Sequence, residues 1–229
     1  MLSISLNPRY ATRTIGDSIY LSLREDILSM RIAPGAELSI KDVADKLQVS
    51  RSPVRDALMR LASESLVDIY PQRGCRVSPI DMHRVEQELF MREGLETLAI
   101  SRFVIVADED DFSRMERYLK HQERDMQAQN HIRMLDDDER FHGVLFEATD
   151  QTYSLQVIRI SCVHYYRIRL LSYTCETISE SVLKEHTEML AALRGRDAAK
   201  CIALERDHLH HVDIQQTQML ESHPDYFLK

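Results

Sequence analysis

The sequence predicts a mainly α-helical chain in two parts: three helices with a β-hairpin, followed by an all-α bundle. Apolar residues recur every three or four positions along most of the 229 residues, whereas two short segments within 67–77 alternate with the period of strands. The first 80 residues carry a net charge of +2 and the remainder −10. We therefore expect one domain over residues 10–80 and a second over 84–220.

Composition excludes several other classes of protein. Hydrophobic residues make up 44% and charged residues 29%, as in ordinary globular chains. No segment approaches the roughly 18 apolar residues of a membrane span, and the N-terminus lacks a secretory pattern. The four cysteines are scattered, which favours reduced thiols and a cytoplasmic location. Because an acidic body repels phosphate, any contact with nucleic acid is expected in the N-terminal part.

Three helix starts are visible in the N-terminal part. Thr14, Ser39 and Ser50 each precede a helical pattern as capping residues, and Pro53 fits the first turn of the third helix. Pro34–Gly35 ends the first helix. The inner faces of the three helices are expected to consist of Ile15, Ile19, Leu23, Ile27, Ile40, Val43, Ala44, Leu47, Val54, Leu58 and Leu61.

A hairpin follows the third helix. Val67–Tyr70 and Cys75–Val77 alternate on either side of a loop that contains Pro71 and Gly74. Three helices followed by a hairpin is the layout of a winged helix-turn-helix. Gly74 fits a wing tip whose backbone approaches phosphate, or a turn that only needs positive φ.

The third helix has a basic face. Arg51 and Arg55 are four residues apart and lie away from the apolar stripe, with Ser52 and Lys41 nearby. The forked donors of arginine match guanine in the major groove, and hydroxyls suit phosphates. Two arginines alone also fit a solvated helix face, but the cap, the turn and the hairpin favour a contact with DNA.

The C-terminal part has helical periodicity throughout. Gly195 suits a helix end and Asp197 the next helix start. We expect six helices, near residues 84–106, 109–129, 131–148, 152–174, 178–194 and 197–219.

One aspartate and three histidines of this part could hold a metal ion. Asp138 and His142 are one helical turn apart, while His186 and His208 lie on two later helices. Such a set is normal for zinc or a similar divalent ion. Because the chain has ten histidines, the spacing alone is explained as well by surface or hydrogen-bonded imidazoles.

A metalloenzyme is the alternative reading. Glu139-x-x-His142 and Glu205-x-x-His208 form half of a di-iron site in a four-helix bundle. However, the segment 152–174 contains no acidic residue to complete that site. Nothing marks the general base of a mononuclear hydrolase, and phosphate loops and nucleophile motifs are absent. We therefore expect no enzymatic activity.

The N-terminal residues closely resemble the DNA-binding domain of the GntR family of regulators. The matching stretches are Ile27–Gly35, Val49–Leu61 and Arg73–Val77. Gln48 and Ser65 stand where the family often has glycine, so they are expected to accept unusual backbone angles or a different turn. By this resemblance, the contacts to DNA fall to Lys41, Ser50, Arg51, Ser52, Arg55 and Gly74.

Residues 84–215 resemble the FCD domain, the ligand-sensing part of FadR-type GntR regulators. The matching features are Arg92, Glu96, Asp138, Phe141, His142, Glu185, His186, Asp197, His208 and Leu209. The resemblance implies one divalent ion per chain at the floor of an effector cavity, zinc first, with nickel or manganese as alternatives. Its ligands would be Asp138, His142, His186 and His208.

A small organic acid is the expected effector. The segment 152–174 has several arginines and no acid within an otherwise acidic domain. Periodicity favours an inward position for Arg92 and for only one of Arg167 and Arg169, because residues two apart cannot share a helix face. These three arginines are the predicted effector-binding residues, the alternative being outer-face partners of surface carboxylates.

Together the two resemblances imply a transcription regulator, expected to be a repressor. Helix-turn-helix proteins usually bind two half-sites as symmetric dimers, so we expect a homodimer on a pseudo-palindromic operator. The carboxylate effector would modulate operator affinity by allostery.

Overall fold

A computed structural model describes residues 4–10, 12–71 and 74–228, and these form two compact units. Unit 1 holds the chain up to Met82 together with the segment from His223, and unit 2 spans His83–Ser222. The loop residues Gln72 and Arg73, part of the predicted hairpin, lie outside the described residues.

Unit 1 has three α-helices, two short 3-10 helices (Pro8–Tyr10 and Pro224–Tyr226) and a small antiparallel sheet. The sheet has the order β1-β3-β2, with Leu38 opposite Cys75 and Val67 opposite Val77. Strand β1 was not predicted, because two residues are too few to show an alternation. The elements are α1 (Ile15–Leu28), β1 (Glu37–Leu38), α2 (Ile40–Leu47), α3 (Arg51–Ser63), β2 (Val67–Tyr70) and β3 (Gly74–Val77).

The core of unit 1 follows the predicted apolar stripes except at Ile15, which is exposed, and at Ile40 and Leu47, which are half-buried. Ile19, Leu23 and Ile27 of α1 are fully buried together with Leu58 of α3. Ile15, expected on the same face, is 46% exposed because it is the first residue of α1, at the end of the stripe. The stripe therefore begins one turn later than the sequence predicts.

Gln48 and Ser65, which stand where the GntR resemblance would place glycine, both take the left-handed backbone conformation. Gln48, the C-cap of α2, has φ 55° and ψ 43°, and Ser65 after α3 has φ 59°. A side chain is disfavoured there by its own Cβ, so both residues bear strain that glycine would avoid. The expectation of unusual backbone angles is correct.

Unit 2 consists of helices alone among the described residues. Within the described part of the chain, no helix is long and apolar enough to cross a bilayer. The helices are α4 (Met82–Val106), α5 (Glu109–Gln127), α6 (His131–Ala148), α7 (Thr152–Ser161), α8 (Val163–Ser172), α9 (Glu176–Arg194), α10 (Ala198–Leu209) and α11 (His211–Ser222).

Two of the six predicted helices are each divided into two. The segment 152–174 breaks at Cys162, with φ −94° and ψ 49°, and the segment 197–219 breaks at His210. The apolar periodicity of the sequence continues across both breaks. It therefore predicts one long helix where the structure has two. The mainly α fold class with its small sheet is nevertheless confirmed.

The interior of unit 2 contains many charged side chains. Burying a charge is costly unless it is paired or coordinates a metal, so these residues mark the candidate site. The buried charged and imidazole groups of its centre are Arg92, Glu96, Asp138, His142, Arg167, Arg169, His186, Glu205 and His208.

Candidate metal centre and nucleic-acid interface

Three helices place the predicted aspartate and three histidines together. Asp138 and His142 lie one turn apart on α6, His186 lies on α9, and His208 lies near the end of α10. All four are buried, and one ligand atom from each lies within 4.8 Å of all the others. Residues 70 positions apart in sequence thus meet at one point.

The distances between these ligand atoms suit a single ion. His142 Nε2 lies 3.2 Å from His186 Nε2, and Asp138 Oδ1 lies 3.5 Å from His186 Nε2 and 3.8 Å from His208 Nε2. A tetrahedral ion with bonds of about 2.1 Å separates its ligands by about 3.4 Å. The three observed separations, 3.2, 3.5 and 3.8 Å, lie on both sides of this value, so a single ion fits between these ligand atoms.

The outer nitrogen of each histidine lies against an oxygen acceptor. For His186 and His208 this contact places the proton on Nδ1 and leaves the lone pair on Nε2, which orients the ring for a metal. The pairs are His142 Nδ1 with Glu96 Oε2 at 2.8 Å, His186 Nδ1 with Gln122 Oε1 at 2.7 Å, and His208 Nδ1 with Glu185 Oε2 at 3.1 Å.

The electrostatics of the cluster divide the histidines into two kinds. Burial lowers the pKa of His186 well below its ordinary value and also lowers the pKa of His208, so both are neutral. Burial acts in the same direction on His142, but the carboxylates of Glu205 and Glu96 outweigh it and raise its pKa to about 9. Two neutral donors therefore exist before any ion binds.

A buried arginine pair adjoins the cluster. Arg92 Nη1 and Arg169 Nη1 both donate to Glu139 Oε1, at 2.7 and 2.6 Å. Arg169 also donates to Asp138, and Arg92 Nε donates to Glu96 Oε1 at 2.6 Å. One carboxylate, that of Glu139, thus holds two guanidinium groups beside the histidines.

Two tyrosines contact this arginine pair and the aspartate beside it. The ring centroid of Tyr165 lies 5.4 Å from the guanidinium carbon of Arg92 and 5.4 Å from that of Arg169. Tyr173 Oη donates to Asp138 Oδ1 at 2.6 Å. Sequence patterns did not single out either tyrosine, because aromatic residues on a helix are more often core.

Both Arg167 and Arg169 are buried, and only one of them lies at the cluster. Arg167 is 0% and Arg169 3% exposed. Helix α8 is buried on nearly all sides, so it has no outward face to which periodicity could assign an arginine. Only Arg169 reaches the cluster, whereas Arg167 donates to Val163 O at 3.2 Å and lies 3.1 Å from His164 Nδ1.

The di-iron alternative does not match the arrangement. Glu139, from one of the two Glu-x-x-His pairs, is turned to Arg92 and Arg169. Glu205, from the other pair, lies 3.5 Å from the Nδ1 of His142, and burial raises its pKa well above the ordinary value. A carboxylate bound to two arginines, such as that of Glu139, is a poor ligand for a second ion.

The N-terminus of α3 forms the second candidate site. Lys41, Arg51, Arg55 and Gly74 line one cleft of about 370 Å³ in unit 1. Neither Arg51 nor Arg55 has an ion-pair partner in the described parts of the chain, in contrast to Arg60, which pairs with Asp17. The cleft therefore presents three uncommitted cations around the start of a helix.

The two serines of the predicted DNA surface lie at the same helix end. Ser50 is the N-cap of α3, yet its side chain makes no capping hydrogen bond. Ser52 is in the first turn, and both are exposed. Their hydroxyls are available to an external acceptor, and the free N–H groups of a helix start attract anions.

A winged helix-turn-helix joined to an all-helical unit defines a DNA-binding transcription regulator. The comparisons with known proteins agree. Residues 15–77 match the family described as "Bacterial regulatory proteins, gntR family", and residues 88–211 match the "FCD domain". The chain belongs to the GntR family, in its FCD-containing, FadR-like branch. Its relatives are transcription regulators and not enzymes.

Individual relatives span almost the whole chain. The HTH-type transcriptional repressor RspR of Escherichia coli (strain K12) is 30% identical over 222 residues, 97% of this chain and 96% of that protein. The structure of E. coli McbR/YncC has a TM-score of 0.77 at 18% identity, covering 90% of this chain and 99% of that one. A GntR transcriptional regulator from Rhodococcus sp. RHA1 also gives 0.77, at 20% identity, with 92% and 99% covered.

Proposed function

We propose that this regulator is a repressor whose affinity for its operator changes when a small carboxylate binds beside one divalent ion in unit 2. The observation that carries the proposal is the cluster of Asp138, His142, His186 and His208, spaced for a single ion and adjacent to two buried arginines. Repression is supported by the relative RspR, which is described as a transcriptional repressor.

The set of ligand atoms favours a metal ion intermediate between hard and soft. Three imidazole nitrogens and one carboxylate oxygen suit zinc, with nickel or manganese as the next candidates. Oriented Nδ1 partners support this role, because hydrogen bonds from metal-binding histidines to such acceptors raise their basicity. When bound, the ion supplies a positive centre to which a carboxylate can bind.

Arg92 and Arg169 are the proposed partners of the effector's carboxylate. Both are buried and carry the fork geometry that binds carboxylates with two parallel hydrogen bonds. Glu139 already occupies one donor of each. An incoming acid would therefore compete with Glu139. Arg167, bound to Val163 O and near His164, supports the helix that carries Arg169 and takes a lesser part.

The DNA-binding half of the proposal depends on α3. Arg51 and Arg55 would read base edges in the major groove, while Lys41, Ser50, Ser52 and the backbone at Gly74 would contact phosphates. One winged helix covers too little DNA for high specificity, so we propose that a homodimer binds a pseudo-palindromic site.

Native mass spectrometry with elemental analysis tests the metal. We expect one divalent ion per chain in the wild type and none in the double variant His186→Ala/His208→Ala, which removes two ligands. The double variant His83→Ala/His121→Ala, which changes two histidines outside the cluster, serves as control and should keep the ion. Equal metal content in all three proteins would refute the ligand set.

A thermal-shift screen tests the effector. Hydroxy acids, sugar acids and dicarboxylates are added to the metal-loaded protein and to Arg92→Ala. An acid that binds the native state raises the melting temperature, and the rise grows with the logarithm of its concentration relative to its dissociation constant. Stabilisation by neutral or cationic compounds alone, or equal responses of both proteins to every acid, would contradict the carboxylate assignment.

A further inference from the structure

The last described residues of the chain belong to unit 1 and not to the helical unit that precedes them. The chain leaves unit 1 after Met82, forms all of unit 2, and rejoins unit 1 at His223. Residues 223–228, here called the C-terminal strap, contain one turn of 3-10 helix (Pro224–Tyr226) and then extended backbone at Phe227. Three helices and a hairpin are thus joined by a segment from the far end of the chain.

The C-terminal strap pairs with the segment that follows β3. Ile80 N donates to Tyr226 O at 2.7 Å and Leu228 N donates to Ile80 O at 2.9 Å, so Ile80 and Phe227 form a parallel bridge. Ile80 is 0% and Phe227 5% exposed. Because a buried peptide group needs a hydrogen-bond partner, removal of the strap would take from Ile80 the partners of both its N–H and its carbonyl group.

Gly35 lets the C-terminal strap approach the body of unit 1. Its φ is +79°, and a Cβ added to it would lie 3.4 Å from the carbonyl oxygen of Asp225 and 2.9 Å from Nη2 of Arg76. Arg76 Nε donates to Gly35 O at 2.8 Å, and Gly35 N donates to Val77 O at 2.9 Å. The strap therefore lies against a turn that is bonded to β3, and β3 begins at Gly74 of the predicted DNA surface.

The helix that carries the strap begins at the metal cluster. His211, the first residue of α11, has its Nε2 at 2.6 and 2.7 Å from the two carboxylate oxygens of Glu185, and Glu185 Oε2 also lies 3.1 Å from Nδ1 of His208. Tyr165, beside the arginine pair, donates from Oη to Leu209 O at 2.7 Å. The junction of α10 and α11 is thus held by one residue that orients a metal ligand and by another that borders the arginines.

We propose that the C-terminal strap couples the ion site of unit 2 to the DNA-binding unit. The inference rests on the ion and the operator binding proposed above and names the path between them. His208 is restricted when it ligates the ion, and Glu185 passes this restriction to the start of α11. Because α11 is a continuous helix of 12 residues, its orientation determines where the strap lies. The strap in turn holds the segment after β3, so unit 1 keeps the conformation that binds DNA.

Operator affinity with and without zinc tests this coupling in the full-length chain. Fluorescence anisotropy with a duplex selected by the protein from random sequence is measured on zinc-loaded and chelator-stripped protein. We expect the wild type to bind the duplex about tenfold more tightly with zinc, a factor typical of coupled sites. Phe227→Ala, which removes the buried side chain of the strap, should reduce this ratio to less than about twofold and should still hold one ion per chain.

Leu228→Pro and Leu228→Ala form a matched pair. Proline lacks the N–H that donates to Ile80 O, and Phe227 already has the extended backbone that a following proline requires, with φ −106° and ψ 148°. The side chain of Leu228 is exposed, so alanine keeps the hydrogen bond and should keep the zinc response, whereas proline should reduce it. Amide hydrogen exchange at Ile80 should be faster in Leu228→Pro and in the zinc-stripped wild type than in the zinc-loaded wild type.

Equal zinc responses of the wild type, Phe227→Ala and Leu228→Pro would overturn the proposal. A wild type that holds one ion and binds the duplex equally in both states would also overturn it, while leaving the ion site itself intact. A wild type without bound metal would contradict the ligand set together with the coupling. Metal content and thermal unfolding are measured on every variant, so that a loss of the fold is distinguished from a loss of the coupling.

Discussion

At the scale of single residues, Glu139 is the most consequential side chain of unit 2. Its carboxylate neutralises Arg92 and Arg169, and the pKa of Glu139 is lowered because these two cations outweigh the effect of burial. In the sequence the same residue belongs to a Glu-x-x-His pair and suggests a metal ligand. The structure shows it as the counter-ion of two arginines that we propose bind an acid.

Replacing Glu139 by Gln should strengthen the binding of small carboxylates. The amide keeps the size of the side chain but removes the charge that competes for the arginines, so affinity for an acid should rise about tenfold. The measurement is the thermal shift of the metal-loaded protein with the acids named above. Glu180→Gln, on the exposed side of α9, is the control. Equal or smaller shifts in Glu139→Gln would contradict competition.

Gln122 is a second residue whose role can be tested alone. Its Oε1 accepts from His186 Nδ1 at 2.7 Å and so orients the metal-facing nitrogen. Gln122→Met should lower zinc affinity by about 10- to 100-fold, as loss of such partners usually does. Competition with a chromophoric chelator measures the affinity. Gln127→Met on the exposed end of α5 should have no effect, and an unchanged affinity in Gln122→Met would exclude the orienting role.

At the scale of elements, helix α8 explains most differences between expectation and structure. It follows a break at Cys162, and Glu88 of α4 caps its start: Tyr165 N donates to Glu88 Oε2 at 2.8 Å. The carboxylate satisfies an otherwise free N–H group at a positive helix end. The partner of this N–H group lies 77 residues away in sequence, so local periodicity did not predict the break.

The pKa of Glu88 predicts that the stability of the folded chain depends on pH. Burial raises the pKa of Glu88 to about 7, with the N–H of Tyr165 and the charge of Arg84 opposing it. The folded state therefore binds a proton more tightly than the unfolded chain, and this residue's contribution to stability decreases as pH rises from about 4.5 to 7. The decrease should reach at most about 3 kcal/mol.

Urea unfolding of the wild type and Glu88→Gln across pH 4–8 measures this contribution. Glutamine retains an oxygen acceptor for the helix start but does not titrate. The difference in the free energy of unfolding between the two proteins should therefore shift in favour of Glu88→Gln as pH rises through the window. A difference independent of pH would show that Glu88 does not titrate there.

At the scale of the whole molecule, charge is divided between the two parts of the chain. The first 80 residues are weakly basic in a protein whose net charge is −8, and the uncommitted cations of unit 1 surround the start of α3. We propose that this division directs DNA to unit 1, because the acidic remainder repels phosphate.

Arg51→Ala and Arg55→Ala should each weaken operator binding by about 1–3 kcal/mol. Binding of the wild type should also fall steeply with salt, because neutralised phosphates release counterions. Fluorescence anisotropy with a duplex selected by the protein from random sequence gives both quantities. Lys184→Ala in unit 2 is the control. If both arginine variants bind that duplex as tightly as the wild type, α3 is not the recognition helix.

The sequence by itself determined the class of protein and most of its elements and, through resemblance, the family and the aspartate and histidines that meet in unit 2. These features depend on local spacing, capping and residue type, which a linear chain displays directly. Only the tertiary structure decided which oxygen faces each Nδ1, that Glu139 binds both Arg92 and Arg169, and that α8 is buried on nearly all sides. Those contacts join helices dozens of residues apart, and packing geometry alone determines which of their faces meet.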